Sequence, residues 1–237
     1  MSETTGDETA EHTLVDGAPV PTEPAPLLVA ERLGHKGGHG WAFRDVDLTL
    51  PVGGLTAIAG RSGSGRTMLL LTLAGRAKPS SGRLAVAGDT AAKAIRAAVA
   101  VGRITGVAEP EPDLRVHDHV RELHALAGRG VDYGWARDLV GLSAPGHTLV
   151  DDLDAARRCL LALALAVATR PRAVVLDDVD QQVDGEQQRQ IWAALRAVTG
   201  AGIAVLASCV DPAVAIAADA DVLTLPAPDP AQAEDEL

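Results

Sequence analysis

An α/β fold is predicted, with a parallel sheet as its core and an antiparallel β meander ahead of it. Three observations carry that prediction. The apolar run Leu55-Thr56-Ala57-Ile58-Ala59 meets a glycine-rich turn and then a second apolar run, Met68 to Ala74, which is the order strand, turn, helix. Ala173-Val174-Val175-Leu176 is a short unbroken apolar run, which suits a parallel strand buried on both faces, and it ends in Asp177-Asp178. Before both, Val46, Leu48 and Leu50 alternate with Asp47 and Thr49, the period of a half-buried strand.

The elements follow in order. Residues 1–26 are rich in Glu, Thr, Pro and Ala without apolar period and read as a disordered acidic leader. Leu27 to Leu33 and Trp41 to Leu50 are the meander strands, joined by a flexible turn from Gly34 to Gly40. Arg83 to Ala87 and Ala98 to Val101 are short strands, followed by the acidic loop Glu109-Pro110-Glu111-Pro112-Asp113. Val116 to Ala127 has helical spacing, and Tyr133 to Leu142 is a second short helix. Asp154 to Thr169 is a strongly apolar helix stopped by Pro171, and Asp184 to Val198 is an amphipathic one. Gly202 to Ala207 is a buried strand ending at Ser208-Cys209; a helix at Asp211 to Ala218 and a strand at Asp221 to Leu225 complete the order. Residues 226–237 are again acidic and proline-rich and read as disordered.

Composition narrows the function classes. The chain has 237 residues, of which 47% are hydrophobic but only 2% aromatic, so its core must be built from Ala, Val and Leu. A net charge of -11 argues against sequence-independent nucleic-acid binding, which needs a basic footprint. It argues equally against unaided adhesion to an anionic membrane. The longest apolar run, Cys159 to Ala168, is too short to span a bilayer, and no secretory signal is evident. Cys159 and Cys209 both sit in apolar surroundings and read as buried free thiols of a reducing cytoplasm. His117, His119 and His124 invite a metal site, but no cysteine lies near and the neighbouring carboxylates look like solvated surface.

The chemistry concentrates in Gly60-Arg61-Ser62-Gly63-Ser64-Gly65-Arg66-Thr67. This matches the phosphate-binding loop G-x-x-x-x-G-K-[ST] except that Arg66 replaces lysine. Glycines let successive N–H groups converge on one anion, and the following helix adds the positive end of its dipole. Thr67 offers a hydroxyl to Mg²⁺. In the second part of the signal, Asp177 would hold Mg²⁺ through water and Asp178 would orient the attacking water.

With these motifs in this order, the sequence resembles the nucleotide-binding domain of the ATP-binding cassette (ABC) family, from about Leu27 to Leu225. The resemblance implies a P-loop NTPase (RecA-like) core with an antiparallel β meander and a helical subdomain. It divides the chain into a leader (1–26), an ABC-type ATP-binding domain (27–225, with its helical insert at about 106–152) and a tail (226–237). It implies ATP and Mg²⁺ as cofactors, held by Gly60 to Thr67 with Met68, and by Thr67 and Asp177 for the metal. It implies a second ATP-binding domain and a separate membrane-spanning subunit as partners, contacted through the insert. The location implied is cytoplasmic, peripheral at the inner membrane face through that partner, without direct membrane insertion.

Most family motifs are altered here. Arg66 is charged like the family's lysine but is a larger, planar fork. Asp178 stands where the family has its catalytic glutamate, one methylene short. The signature LSGGQ falls on Leu153-Asp154-Ala155-Ala156-Arg157, where only the leucine survives and Asp154 would repel a phosphate. The switch histidine falls on Cys209, a weak donor. The loop glutamine falls near Thr105 to Val107, where there is none; every Gln lies at 181 or beyond. Asp184 keeps the D-loop aspartate. Trp41, and less well His35, are the candidates for stacking adenine, though Trp41 also suits a plain core position.

Three functions are compatible with this pattern. One is an active ATPase subunit energising a transporter or exporter. Another is a degenerate cassette domain that binds nucleotide with hydrolysis weak or lost. The third is a generic phosphate-loop protein. Element order disfavours the third. The joint alteration of lysine, glutamate, signature, histidine and glutamine favours the second over the first, because lost transition-state contacts of about 3 kcal/mol each leave little catalysis.

Overall fold

A computed structural model describes residues 25–38, 40–128 and 130–227. The leader and tail expected at 1–26 and 226–237 lie almost wholly outside the described residues. The antiparallel sheet comprises β1 (Leu28–Gly37), β2 (Gly40–Leu50) and β4 (Ser81–Val86), in the order β2-β1-β4. The parallel sheet comprises β3 (Leu55–Ala59), β5 (Val99–Arg103), β6 (Ala173–Leu176), β7 (Ala204–Cys209) and β8 (Asp221–Thr224), in the order β5-β6-β7-β3-β8. The helices are α1 (Arg66–Leu73), α2 (Ala92–Ala98), α3 (Val116–Ala127), α4 (Tyr133–Leu139), α5 (Ala155–Val167), α6 (Gly185–Gly200) and α7 (Ala213–Ala217). The α/β class with a parallel core and an antiparallel sheet is as the sequence predicts.

The apolar strands divide their side chains between two cores. Val174 and Leu176 of β6, with Val205 and Ala207 of β7, pack on the side of α5 and α6. Ala173 and Val175, with Ala204 and Leu206, pack on the opposite side, against α1 and the antiparallel sheet. Burial on both faces is why these strands read as unbroken apolar runs instead of alternating ones. Few aromatics are needed because Ala and Val let the layers approach closely; the single large core aromatic on α6 is Trp192, 1% exposed.

This topology fixes the site. β7 lies between β3 and β6, with Ala59 level with Cys209 and Leu176 level with Ala207. The strands are parallel, so the chain leaves β3, β6 and β7 at one edge of the sheet, where α/β folds bind ligands.

Two local expectations differ. The segment from Gly34 to Gly40 is not a long turn: pairing continues through His35 with Phe43, Lys36 with Trp41 and Gly37 with Gly40. Cross-strand contacts there override the loop preference of the glycines. The helix α2 carried no sequence signal beyond alanine, because its one buried side chain, Ile95, leaves no apolar period to read.

Candidate functional site

The loop between β3 and α1 opens an anion nest. Gly63 and Gly65 have φ of 81° and 89°, in the left-handed region. At Gly65 the demand is doubled, because a Cβ would run into the carbonyl oxygen of Ala42 on β2. The antiparallel sheet therefore braces the loop from behind. α1 has no side-chain N-cap and no acidic residue in its first turn. Among the described residues, none accepts a hydrogen bond from the backbone N–H groups of Gly65, Arg66, Thr67 or Met68. Unsatisfied N–H groups at a helix start, with the dipole behind them, are a ready phosphate site.

Arg66 does not point outward from this nest. Its side chain is 8% exposed and lies across the strand ends. One terminal nitrogen donates to the Gly60 carbonyl and, at 3.2 Å, to the Cys209 carbonyl. The other donates to Asp178 Oδ1 at 2.6 Å. The residue expected from the sequence to offer a cation to phosphate is thus paired with the one expected to offer a carboxylate to water.

Asp177 is fully buried. Thr67 Oγ1 donates to its Oδ2 at 2.7 Å, and Ser208 Oγ donates to its Oδ1. Ser208 Oγ also accepts the Asp178 N–H at 2.8 Å. That bond helps hold Asp178 at φ 46°, a left-handed conformation that aspartate and asparagine tolerate better than most residues. Burial, and then the adjacent Asp177 charge, raise the Asp178 carboxyl above its ordinary value against the pull of Arg66. The Cys209 thiol is fully buried and pushed up to about 12, first by burial and then by Asp180. A neutral thiol in that position offers no cationic donor.

The remaining predicted residues lie apart. Leu153 is buried, and Asp154 N-caps α5 by accepting the Arg157 N–H at 2.8 Å, so its carboxylate serves the helix. Ala155 and Ala156 continue that first turn. No hydrogen bond among the described residues joins this segment to the phosphate loop. Asp184 N-caps α6, accepting the N–H groups of Glu186 and Gln187 at 2.9 Å. Arg61 is exposed at the loop tip. Ser64 is 5% exposed, and its hydroxyl has no partner among the described residues. Trp41 lies over Gly34. His35 stacks on Phe43 and bonds the Lys78 carbonyl at 2.9 Å, so its ring is already engaged. The His117 and His119 rings meet the carbonyls of Gly146 and Glu111 separately.

Two participants escaped the sequence reading. Ser208 donates to the Asp177 carboxylate and accepts the Asp178 N–H, and its signal was a hydroxyl at the end of an otherwise apolar strand. Asp180 accepts the Val210 N–H at 2.6 Å and so joins the segment after β6 to the segment after β7. Nothing in the sequence distinguishes it from its acidic neighbours.

A phosphate nest at the end of β3, beside the buried Asp177 and the partly buried Asp178 at the end of β6, defines a phosphate-loop nucleotide-binding domain. The ABC transporter family model matches residues 43–181. The chain is 28% identical over 193 residues to a protein named ribose import ATP-binding protein RbsA 1 of Rhizobium etli, covering 76% of this chain and 38% of that protein. It is 29% identical over 191 residues to the cytochrome c biogenesis ATP-binding export protein CcmA of Agrobacterium fabrum, covering 78% and 89%. Among solved structures, an ATP-binding cassette of an ABC transporter in its ADP conformation superimposes with a TM-score of 0.71 at 16% identity, covering 85% of this chain and 88% of that one. This chain belongs to the ABC transporter family as a nucleotide-binding domain, and ABC ATPase domains bind ATP. It spans little more than a third of the length of the ribose import relative.

Proposed function

We propose that the chain is an ATP-binding subunit of a transport assembly that retains nucleotide binding, with hydrolysis weak or lost. The observation that carries the reading is the Arg66–Asp178 ion pair beside an open nest. The nest supports binding, because four N–H groups await an acceptor and need no side-chain cation. The ion pair argues against turnover. Arg66 must leave Asp178 to reach a phosphate, and Asp178 is held by Arg66 instead of facing water.

Thr67 and Asp177 fit Mg²⁺, since a hydroxyl and a carboxylate oxygen converge within 2.7 Å and both are hard oxygen donors. These two residues would hold the ion, whose chemistry is to neutralise phosphate charge. Thr67 would then exchange its hydrogen bond to Asp177 for a bond to the metal, while Ser208 keeps the carboxylate oriented. Cys209 supplies no imidazole, and Asp154 meets any opposing phosphate with like charge.

The ABC-type domain spans 27–225 on this reading, with its helical insert at about 106–152. A second ATP-binding domain and a membrane-spanning subunit are its partners, and the relatives named as import and export proteins support that assignment. No helix among the described residues is long and apolar enough to cross a membrane, which fits attachment through a partner at the inner face.

A second reading, an active ATPase subunit, is favoured by the retained Thr67–Asp177 pair. Binding and phosphate release measured on the same preparation separate the two. ATP should bind, phosphate release should stay at background, and Gly65→Asp should abolish binding. Vigorous hydrolysis that Asp178→Asn removes would establish the second reading.

A further inference from the structure

We propose that this site selects nucleotides by phosphate count and takes a nucleoside diphosphate at least as tightly as a triphosphate. The inference rests on the nucleotide-binding reading above and adds a ligand preference to it.

The hydrogen-bond donors come first. In a phosphate loop the backbone N–H groups cradle the inner phosphates, and the side chain at position 66 reaches toward the outermost pair. Here the backbone part is intact: the N–H groups of Gly65, Arg66, Thr67 and Met68 have no acceptor among the described residues. The side-chain part is spent. Arg66 makes three hydrogen bonds, to Gly60 O, Cys209 O and Asp178 Oδ1. A guanidinium has five N–H donors in a rigid plane, so freeing some for phosphate turns the whole fork and breaks the others.

Charge decides the sign. Facing the loop are Asp177, fully buried, and Asp178, 19% exposed, with Asp180 close enough to raise the Asp178 carboxyl further. Arg66 neutralises one of these charges. An inner phosphate in the nest meets neutral N–H groups and a helix start. A third phosphate brings added negative charge toward the carboxylates, where the family would offer an uncommitted lysine. If Arg66 swings to that phosphate it abandons Asp178, leaving a half-buried carboxylate unpaired. If it stays, the phosphate has no side-chain cation. Either way the outermost phosphate gains little from the side chains of this site. Cys209 and the signature segment add nothing to it. The thiol is buried and neutral, and Asp154 is already the N-cap of α5.

The test is titration calorimetry of the full chain with ADP and with ATP, each with magnesium and with chelator. The ratio of the ATP Kd to the ADP Kd should be one or greater in the wild type. Asp178→Asn should lower the ratio by about tenfold, because it removes the opposing charge and keeps an acceptor for Arg66; tenfold corresponds to about 1.4 kcal/mol. Asparagine suits the left-handed backbone at 178, so that variant should fold. Arg66→Lys is the independent second variant and should shift the ratio the same way. ATP binding tenfold tighter than ADP in the wild type, or ratios unchanged in both variants, would overturn the selection while leaving nucleotide binding intact. If neither nucleotide binds at millimolar concentration, the underlying binding reading itself fails.

Discussion

The guanidinium of Arg66 on the phosphate loop donates to Asp178 Oδ1 at the end of β6, across 2.6 Å. Both positions read, from the sequence, as departures from the ABC pattern, and the structure makes them partners. Each departure alone would leave a buried charge exposed to the wrong neighbour. Arg66 without Asp178 is a cation inside a protein edge, and Asp178 without Arg66 is a carboxylate against Asp177. Together they form a closed pair that joins the ends of β3, β6 and β7 without nucleotide.

Removing Arg66 should therefore destabilise the fold itself. In Arg66→Ala, Asp178 keeps its burial and its repulsion from Asp177 but loses its counter-charge. Truncating one partner of a buried pair costs about 3–5 kcal/mol, and the partial exposure of Asp178 brings this to about 2–3 kcal/mol. For a domain of this size that lowers Tm by about 5–10 °C. Differential scanning fluorimetry without nucleotide checks it.

Gly65→Ala should be worse than its size suggests. The residue has φ of 89°, and the added methyl meets the Ala42 carbonyl oxygen, which belongs to a paired strand. Either the loop or β2 must move. Loss of nucleotide binding should accompany a stability loss of about 3 kcal/mol or more. Gly88→Ala, also at positive φ but with nothing among the described residues within 4 Å of the added methyl, is the steric control and should cost only about 1 kcal/mol.

Asp178→Asn should change the pH dependence of stability in a defined direction. The Asp178 carboxyl is raised above 3.8 in the folded chain, so the fold binds that proton more tightly than the unfolded chain does. Its contribution is fully present below the ordinary carboxylate value and is lost as pH rises through the raised one. The asparagine variant lacks this loss. Its stability relative to wild type should rise between about pH 4 and neutrality and then level off, as read by urea unfolding across pH.

How much of this was legible depended on how many neighbours each feature needs. β3, β6 and α6 were visible because burial on both faces, or on one stripe, writes a pattern into consecutive residues. The nest was visible because glycines and Thr67 act within one loop. The Arg66–Asp178 pair was not, since the partners are 112 residues apart and each reads alone as a weakened motif residue. Ser208 was missed for the same reason: its bonds to the Asp177 carboxylate and the Asp178 N–H exist only because β6 and β7 are adjacent. The helix α2 and the extended hairpin from Gly34 to Gly40 were missed because alanine and glycine carry no period, and cross-strand pairing decides their state.

Both cysteines should be inert in the native chain. Cys159 and Cys209 are fully buried, and burial raises both thiols, Cys209 to about 12. Alkylation by iodoacetamide near neutral pH should be slow for both and become rapid together on unfolding, because the thiolate is the reactive species. Fast selective labelling of Cys209 would mean that the strand ends are open in solution.

Phosphate release from magnesium ATP, measured side by side for wild type and for the triple variant Arg66→Lys, Asp178→Glu, Cys209→His, tests the central claim most directly. The pairing account predicts background release from the wild type and a rise of at least tenfold in the triple variant, with ATP bound by both. Wild-type turnover at ordinary enzyme rates of about 1 per second or more, unimproved by the three changes, would contradict it.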